Sequence, residues 1–126
     1  MNTFVIGLGS NIDKASETIQ LALSIINEDS NELEYSETYP TEPFGEDINN
    51  LHLYCNCAAK GKCGLSEAEF VDYCKQIETQ LGRSRDNKHI VAIDIDVICF
   101  NDKILRPKEI TAPYMQKAYK DLNLVF

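Results

Sequence analysis

IVAIDIDVICF, residues 90–100, is the most strand-like stretch of the chain and the one from which the fold can be read. Its alternation sends Val91, Ile93, Ile95, Val97 and Cys99 to one face and Ala92, Asp94, Asp96 and Ile98 to the other. Asn101-Asp102 can turn the chain into a short return strand, Lys103–Arg106, and Pro113 to Asp121 reads as a short helix. Upstream, Ser66 opens a helix. Ser66 and Glu69 have capping-box spacing, Phe70, Tyr73, Cys74, Ile77 and Leu81 form its apolar stripe, and Gly82 sits where the helix should stop. Before it, Leu51–Ala59 alternates: Leu51, Leu53, Cys55, Cys57 and Ala59 face a core, while His52, Tyr54, Asn56 and Ala58 face away. Asn31–Tyr39 is moderately strand-like and runs into the long loop Pro40–Asn50. Between Ile12 and Asn27, Ala15, Ile19, Ala22, Leu23 and Ile26 fall on one helical stripe. Thr3–Leu8 is a short buried strand, and Gly9, Ser10 and Asn11 should turn, with Ser10 or Asn11 capping the helix.

The order is therefore β-α-β-β-α-β, followed by a hairpin strand and a short helix, within one domain spanning 1–126. This is the ferredoxin-like α+β pattern: helices on one face of a mainly antiparallel sheet. Tyr54, Asn56, Asp94 and Asp96 should then share the opposite face. With 126 residues, 44% of them apolar, the chain is long enough to close a core without staples. A net charge of −8 disfavours nucleic acid and anionic lipid as partners. No run is long enough to span a bilayer, and the N-terminus has no signal-peptide pattern. Five cysteines without a CxxC pair fit reduced thiols in the cytoplasm.

Three groups of residues carry chemistry. Asp94 and Asp96, at i and i+2, point the same way with Cα atoms roughly 6.5 to 7 Å apart. Their mutual repulsion is relieved by a cation, and Mg²⁺ commonly joins one or two carboxylates to substrate phosphates. A solvated strand face would show the same spacing. The loop 83–89 concentrates Arg83, Arg85, Lys88 and His89 just before the aspartate strand. Arginine forks match phosphate oxygens, although a solvated charged loop has the same composition. Tyr54 and Asn56 place a ring beside an amide, which can stack on and hydrogen-bond a flat heterocycle. They could equally be ordinary strand-face residues.

In this order, VIGLGSN, ETYPTEPFG, LYCNCA, QIETQLGRSR, IDIDVICFND and TAP resemble the 6-hydroxymethyl-7,8-dihydropterin pyrophosphokinases of folate biosynthesis, over most of residues 4–113. The resemblance implies transfer of pyrophosphate from ATP to the hydroxymethyl group of a reduced pterin, releasing AMP. It implies two Mg²⁺ ions on Asp94 and Asp96, with Arg83 and Arg85 completing the catalytic set. Thr41, Pro43, Phe44, Tyr54, Asn56 and Leu122 would meet the pterin. Glu78, Arg83, Lys88, Thr111 and Tyr114 would meet the nucleotide. A monomer or weak homo-oligomer is expected.

The chain also departs from the family pattern, chiefly on the ATP side. Val91 and Glu109 stand where the family usually has arginine, and Tyr114 where it has histidine. The basic loop is short and lacks the usual tryptophan, and the family's C-terminal segment is expected to be missing. Leu122 falls where the second aromatic wall of the pterin pocket would be, with Tyr119 and Phe126 as substitutes. Lys88, His89, Lys117 and Lys120 are the candidates to restore positive charge. Three readings follow: a working pyrophosphokinase, at full or reduced rate; a pterin-binding or regulatory relative that has lost catalysis; and a ferredoxin-like small-molecule or oligomerisation module.

Overall fold

The computed structural model describes residues 1–41, 54–82 and 92–126. The elements are β1 (Asn2–Ser10), α1 (Ala15–Asp29), β2 (Asn31–Tyr35), β3 (Tyr39–Thr41), β4 (Tyr54–Cys63), α2 (Glu67–Gln80), β5 (Asp94–Phe100) and β6 (Lys103–Ile104). They end with α3 (Pro107–Ile110), a 3₁₀ turn (Pro113–Met115) and α4 (Gln116–Asp121). The strands form one antiparallel sheet in the order β2-β4-β1-β5-β6, with β3 also on β4. β5-β1-β4-β2 is the order that two right-handed β-α-β crossovers interleaved in one sheet produce. The expected α+β fold is what the chain adopts.

Phe4, Ile6 and Leu8 of β1 project into the main core with Cys57 and Ala59 of β4 and Ile95 and Val97 of β5. The stripe of α1 buries the five residues its spacing marks out, Ala15, Ile19, Ala22, Leu23 and Ile26. From α2, Phe70 stacks on Phe4 with ring centroids 4.4 Å apart. The capping box forms: the Ser66 hydroxyl accepts from the Glu69 N–H, and the Glu69 carboxylate accepts from the Ser66 N–H. Gly82 follows the helix with φ +96°, a left-handed position that a side chain would strain.

Several expectations change. β1 does not stop at Leu8 but stays extended through Ser10, held by β4 along its whole length and by β5 as far as Gly9. Neither Ser10 nor Asn11 caps α1; Lys14 takes that position with φ 61° and no side-chain cap. Ser10 is buried, and its hydroxyl donates to the Ala92 carbonyl at 2.6 Å. The strand expected over 31–39 ends at Tyr35, and a second short strand takes Tyr39 with Pro40 and Thr41, which the loop was expected to hold; between them lies Ser36, whose hydroxyl accepts from the Ala58 N–H. Cys99 does not share a face with Val97. The pairs Ile6–Val97 and Val5–Cys99 leave Ile98 as an extra residue, a bulge that turns Ile98 and Cys99 to the same side and returns Phe100 to the main core.

The reverse face is not all solvent. The C-terminal elements cross onto it, and Met115, Ala118, Tyr119 and Leu122 pack over Ala58 and Ile98. Gly7 makes room: a Cβ there would lie 3.1 Å from Met115 Cε and 3.2 Å from Ile98 Cδ1. One end of this face is therefore roofed, and its Gly9 end carries the polar side chains.

Candidate active site

At that end, three strands contribute one row. Gly9 on β1 lies opposite Asn56 on β4 and opposite Asp94 on β5. The next row is Ala58, Gly7 and Asp96. Directly opposed residues in a sheet point to the same face, so Asn56, Asp94 and Asp96 share one, together with Tyr54. Strands lie about 4.8 Å apart, which separates the Asn56 and Asp94 backbones by roughly 10 Å across the glycine. A Cβ on Gly9 would lie 2.6 Å from Tyr54 Cε1 and 3.2 Å from Asn56 Oδ1. The missing side chain is therefore what lets the ring and the amide lean over β1. Asn56 is buried; Tyr54, Asp94 and Asp96 are half-buried.

β3 adds a second aromatic beside the amide. Tyr39 is paired with Asn56, and Thr41 with Tyr54. The Tyr39 hydroxyl donates to Asp121 Oδ2 at 2.6 Å, and the same oxygen accepts from the Glu37 N–H. That bond to Asp121 pushes the phenol pKa up to about 12. Lys117 Nζ sits 5.8 Å from the centre of the Tyr39 ring. Strand β3 is thus tied to α4 at the point where the chain enters the segment 42–53.

On the aspartate side, a groove of about 680 Å³ runs between α2 and the outer edge of β5, lined by Lys75, Glu78, Asp94, Asp96 and Arg106 among others. Glu78 is a buried carboxylate that serves the sheet. Its Oε2 accepts from the Ile95 N–H at 2.8 Å, closing the exposed edge of β5. Arg106 Nη2 lies 3.4 Å from Asp96 Oδ1. Tyr114 is half-buried, and its hydroxyl donates to the Glu109 carboxylate at 2.9 and 3.2 Å. Burial first and Glu109 second push this phenol up to about 12, with Asp96 and Asp94 adding to the effect.

The chain matches the family model of 7,8-dihydro-6-hydroxymethylpterin-pyrophosphokinase over residues 5–124. It belongs to that family. The 2-amino-4-hydroxy-6-hydroxymethyldihydropteridine pyrophosphokinase of Haemophilus influenzae is 27% identical over 99% of this chain and 79% of its own length. The enzymes of the same name from Bacillus subtilis and Helicobacter pylori are 26% and 29% identical. Those alignments cover 90% and 98% of this chain, and 68% and 78% of the relatives.

Of the residues that the pyrophosphokinase resemblance singles out, Tyr54, Asn56, Asp94 and Asp96 come together on one face. Thr41 borders them through its backbone pairing with Tyr54. Glu78 lines the groove beside the aspartates, and Tyr114 lies within electrostatic reach of them. Thr111 is exposed and ends α3, its hydroxyl 3.4 Å from the Lys108 carbonyl. Leu122 is buried in the cluster under α4, and its carbonyl accepts from Lys60 Nζ. The substitutes for it lie in the same region: Tyr119 is buried and meets the Phe126 ring edge-on at 4.9 Å. Pro43, Phe44, Arg83, Arg85, Lys88, His89 and Val91 lie outside the described residues.

Sequence reasoning missed Gly9, Tyr39 and Arg106. The signal for Gly9 was present, since Gly7 and Gly9 alternate with Ile6 and Leu8 at the strand period. Nothing in the sequence marked Arg106, whose role depends on where the hairpin after β5 sets it down.

Proposed function

We propose that this chain transfers pyrophosphate from ATP to the hydroxymethyl group of 6-hydroxymethyl-7,8-dihydropterin, releasing AMP. The reading is carried by the row Asn56–Gly9–Asp94: a flat, amide-edged surface one strand away from paired carboxylates. The Asn56 amide has a donor and an acceptor side by side, as the edge of a pterin requires. Tyr54 supplies a stacking ring, and the glycine leaves room for that ring and the Asn56 amide to lie over β1, where they can meet the substrate together. The hydroxymethyl oxygen would then bond to the β-phosphorus and release its proton to solvent, the bond between that phosphorus and the α,β-bridging oxygen would break, and AMP would leave with that oxygen.

The donor set suits magnesium. Asp94 and Asp96 are hard oxygen ligands on consecutive same-face positions, and Asp96 already draws a cation, Arg106. Bound magnesium would neutralise phosphate charge and hold the polyphosphate for in-line attack. Asp94 and Asp96 would hold it, and two ions are the expected complement. We also take residues 1–126 to act as one domain, in the cytoplasm, where the five free thiols are stable. Among the described residues, no helix is long and apolar enough to cross a membrane.

The test is AMP release from ATP in the presence of magnesium and hydroxymethyl-dihydropterin. Asp94→Asn and Asp96→Asn should each lower it by at least about a hundredfold, the usual scale for losing one preorganised electrostatic partner. Parental rates in both variants would remove the metal assignment. A second reading, a pterin binder with weakened catalysis, draws on one observation. Tyr114 and Glu109 engage each other where the family resemblance expects histidine and arginine, so these two positions bring no cation to the site. Pterin binding in a calorimeter with no AMP formed under any magnesium concentration would favour it.

A further inference from the structure

We propose that Arg106 is a cation relay of the nucleotide groove: it covers Asp96 when no nucleotide is bound and moves to the polyphosphate when a divalent ion takes that carboxylate. The inference rests on the pyrophosphokinase reading and concerns which residue of this chain meets the phosphates. Arg106 has a fixed root and a solvent-facing head. Its N–H donates to the Ile98 carbonyl at 3.3 Å, and Pro107 starts α3 directly after it, so the backbone is held against β5. Its side chain is 54% exposed, and that of Asp96 beside it is 22% exposed.

A 3.4 Å contact made by a guanidinium that is more than half exposed is a weak hold on Arg106. A divalent ion at Asp96 would outcompete one guanidinium charge, and the displaced fork would still line the groove in which a polyphosphate would lie. A guanidinium binds phosphate oxygens through two parallel hydrogen bonds, which a carboxylate already occupied by metal no longer offers. The rest of the groove points the same way. Glu78 is committed to the Ile95 N–H, and Lys75 is the other cation lining the wall among the described residues. Across the site, Glu109 adds negative charge beside Tyr114 rather than a phosphate ligand. Among the described residues, Arg106 is thus the group with the charge, the fork and the reach to serve.

The relay predicts effects of opposite sign, which a purely structural role for Arg106 would not produce. Binding is measured by calorimetry for two probes: manganese chloride alone, and the magnesium complex of a non-hydrolysable ATP analogue. Arg106→Gln should weaken the nucleotide complex about tenfold, the scale of a charge-assisted hydrogen bond. The same variant should tighten manganese alone about twofold to fivefold, because one competing cation is gone. Arg106→Lys, which keeps the charge, should hold manganese affinity near the parental value. An Arg106→Gln chain that binds the nucleotide as tightly as the parent, or that weakens both probes together, overturns the relay. If the parental chain itself binds no magnesium–nucleotide complex, the pyrophosphokinase reading fails first and takes this inference with it.

Discussion

Gly9 shows how much one hydrogen atom in place of a side chain decides. It is paired on both edges, and a methyl group there meets the far end of the Tyr54 ring and the Asn56 amide, not backbone. Those side chains can swing away, so the fold should tolerate Gly9→Ala while the pterin surface does not. Displacing recognition groups by about an ångström typically costs up to about a hundredfold in rate. Gly9→Ala should therefore raise the pterin dissociation constant or lower turnover by roughly ten- to hundredfold, with a far-UV circular dichroism spectrum like that of the parent. Unchanged pterin affinity would show that the substrate does not use this surface. At the residue scale, the sequence made the acids and the amide legible because they interrupt strands of strict period two. The glycine carried a weaker signal, its alternation with Ile6 and Leu8, which is easily taken for a turn because the same residue type also ends strands. Arg106 was hidden for a different reason: it meets Asp96 only after the hairpin has brought the chain back, where the Arg106 N–H bonds to the Ile98 carbonyl.

At the scale of elements, α1 was readable down to its buried residues and α2 in large part, with Phe70, Cys74 and Ile77 buried, Tyr73 and Leu81 half-buried and Glu78 buried outside the stripe, because an apolar stripe of period 3.6 has few other solutions. What the stripe does not fix is where a helix starts, and the two starts differ. At α1 the strand before it remains paired through Ser10, and the Ser10 hydroxyl is spent on Ala92, so Lys14 stands at the cap without a side-chain bond. At α2 no strand competes, and the Ser66–Glu69 box forms. Hydrogen bonding from the Ser66 N–H also holds the Glu69 carboxyl below its usual range. Ser66→Ala removes one half of the box and should destabilise the chain by about 1 kcal/mol in urea unfolding. Because α2 carries Glu78 to the edge of β5, the same substitution should slightly loosen the groove beside the aspartates without touching it. One short C-terminal helix was expected, from Pro113 to Asp121; α3 and the side of the sheet that these elements cover were not. Ala58, Ile98 and Gly7 look like ordinary alternation in the sequence, and only the sheet order gathers them into a patch that must be covered.

At the scale of the whole molecule, tyrosine hydroxyls tie the C-terminal roof to itself and to the sheet. Tyr39 donates to Asp121 of α4, Tyr114 to the Glu109 carboxylate of α3, and Tyr119 to the Glu109 carbonyl at 2.6 Å. Each phenol is raised from an ordinary value of 10: Tyr39 to about 12 through Asp121, and Tyr114 to about 12 through burial and then Glu109. Tyr119 and Tyr73 rise further, both chiefly through burial. The sign follows from proton counts. Above about pH 10 the unfolded chain releases protons that the folded chain still holds, so stability falls as pH rises. Below about pH 10 the contribution of these groups is fully present, and it is lost progressively as pH climbs through about 12. Cys74, pushed by burial from 9 to about 12, acts in the same direction from its lower starting value upward. The melting temperature should therefore hold nearly level from about pH 7 to about pH 9 and then drop steeply. Tyr114→Phe, which removes one titrating group along with its tie to Glu109, should start from a lower plateau and show a shallower alkaline fall. Thermal unfolding followed at intervals from about pH 7 to about pH 12 reads both quantities. A variant whose fall is as steep as the parent's would mean that the Tyr114 phenol ionises freely in the folded chain, and that the roof is not held by this hydroxyl.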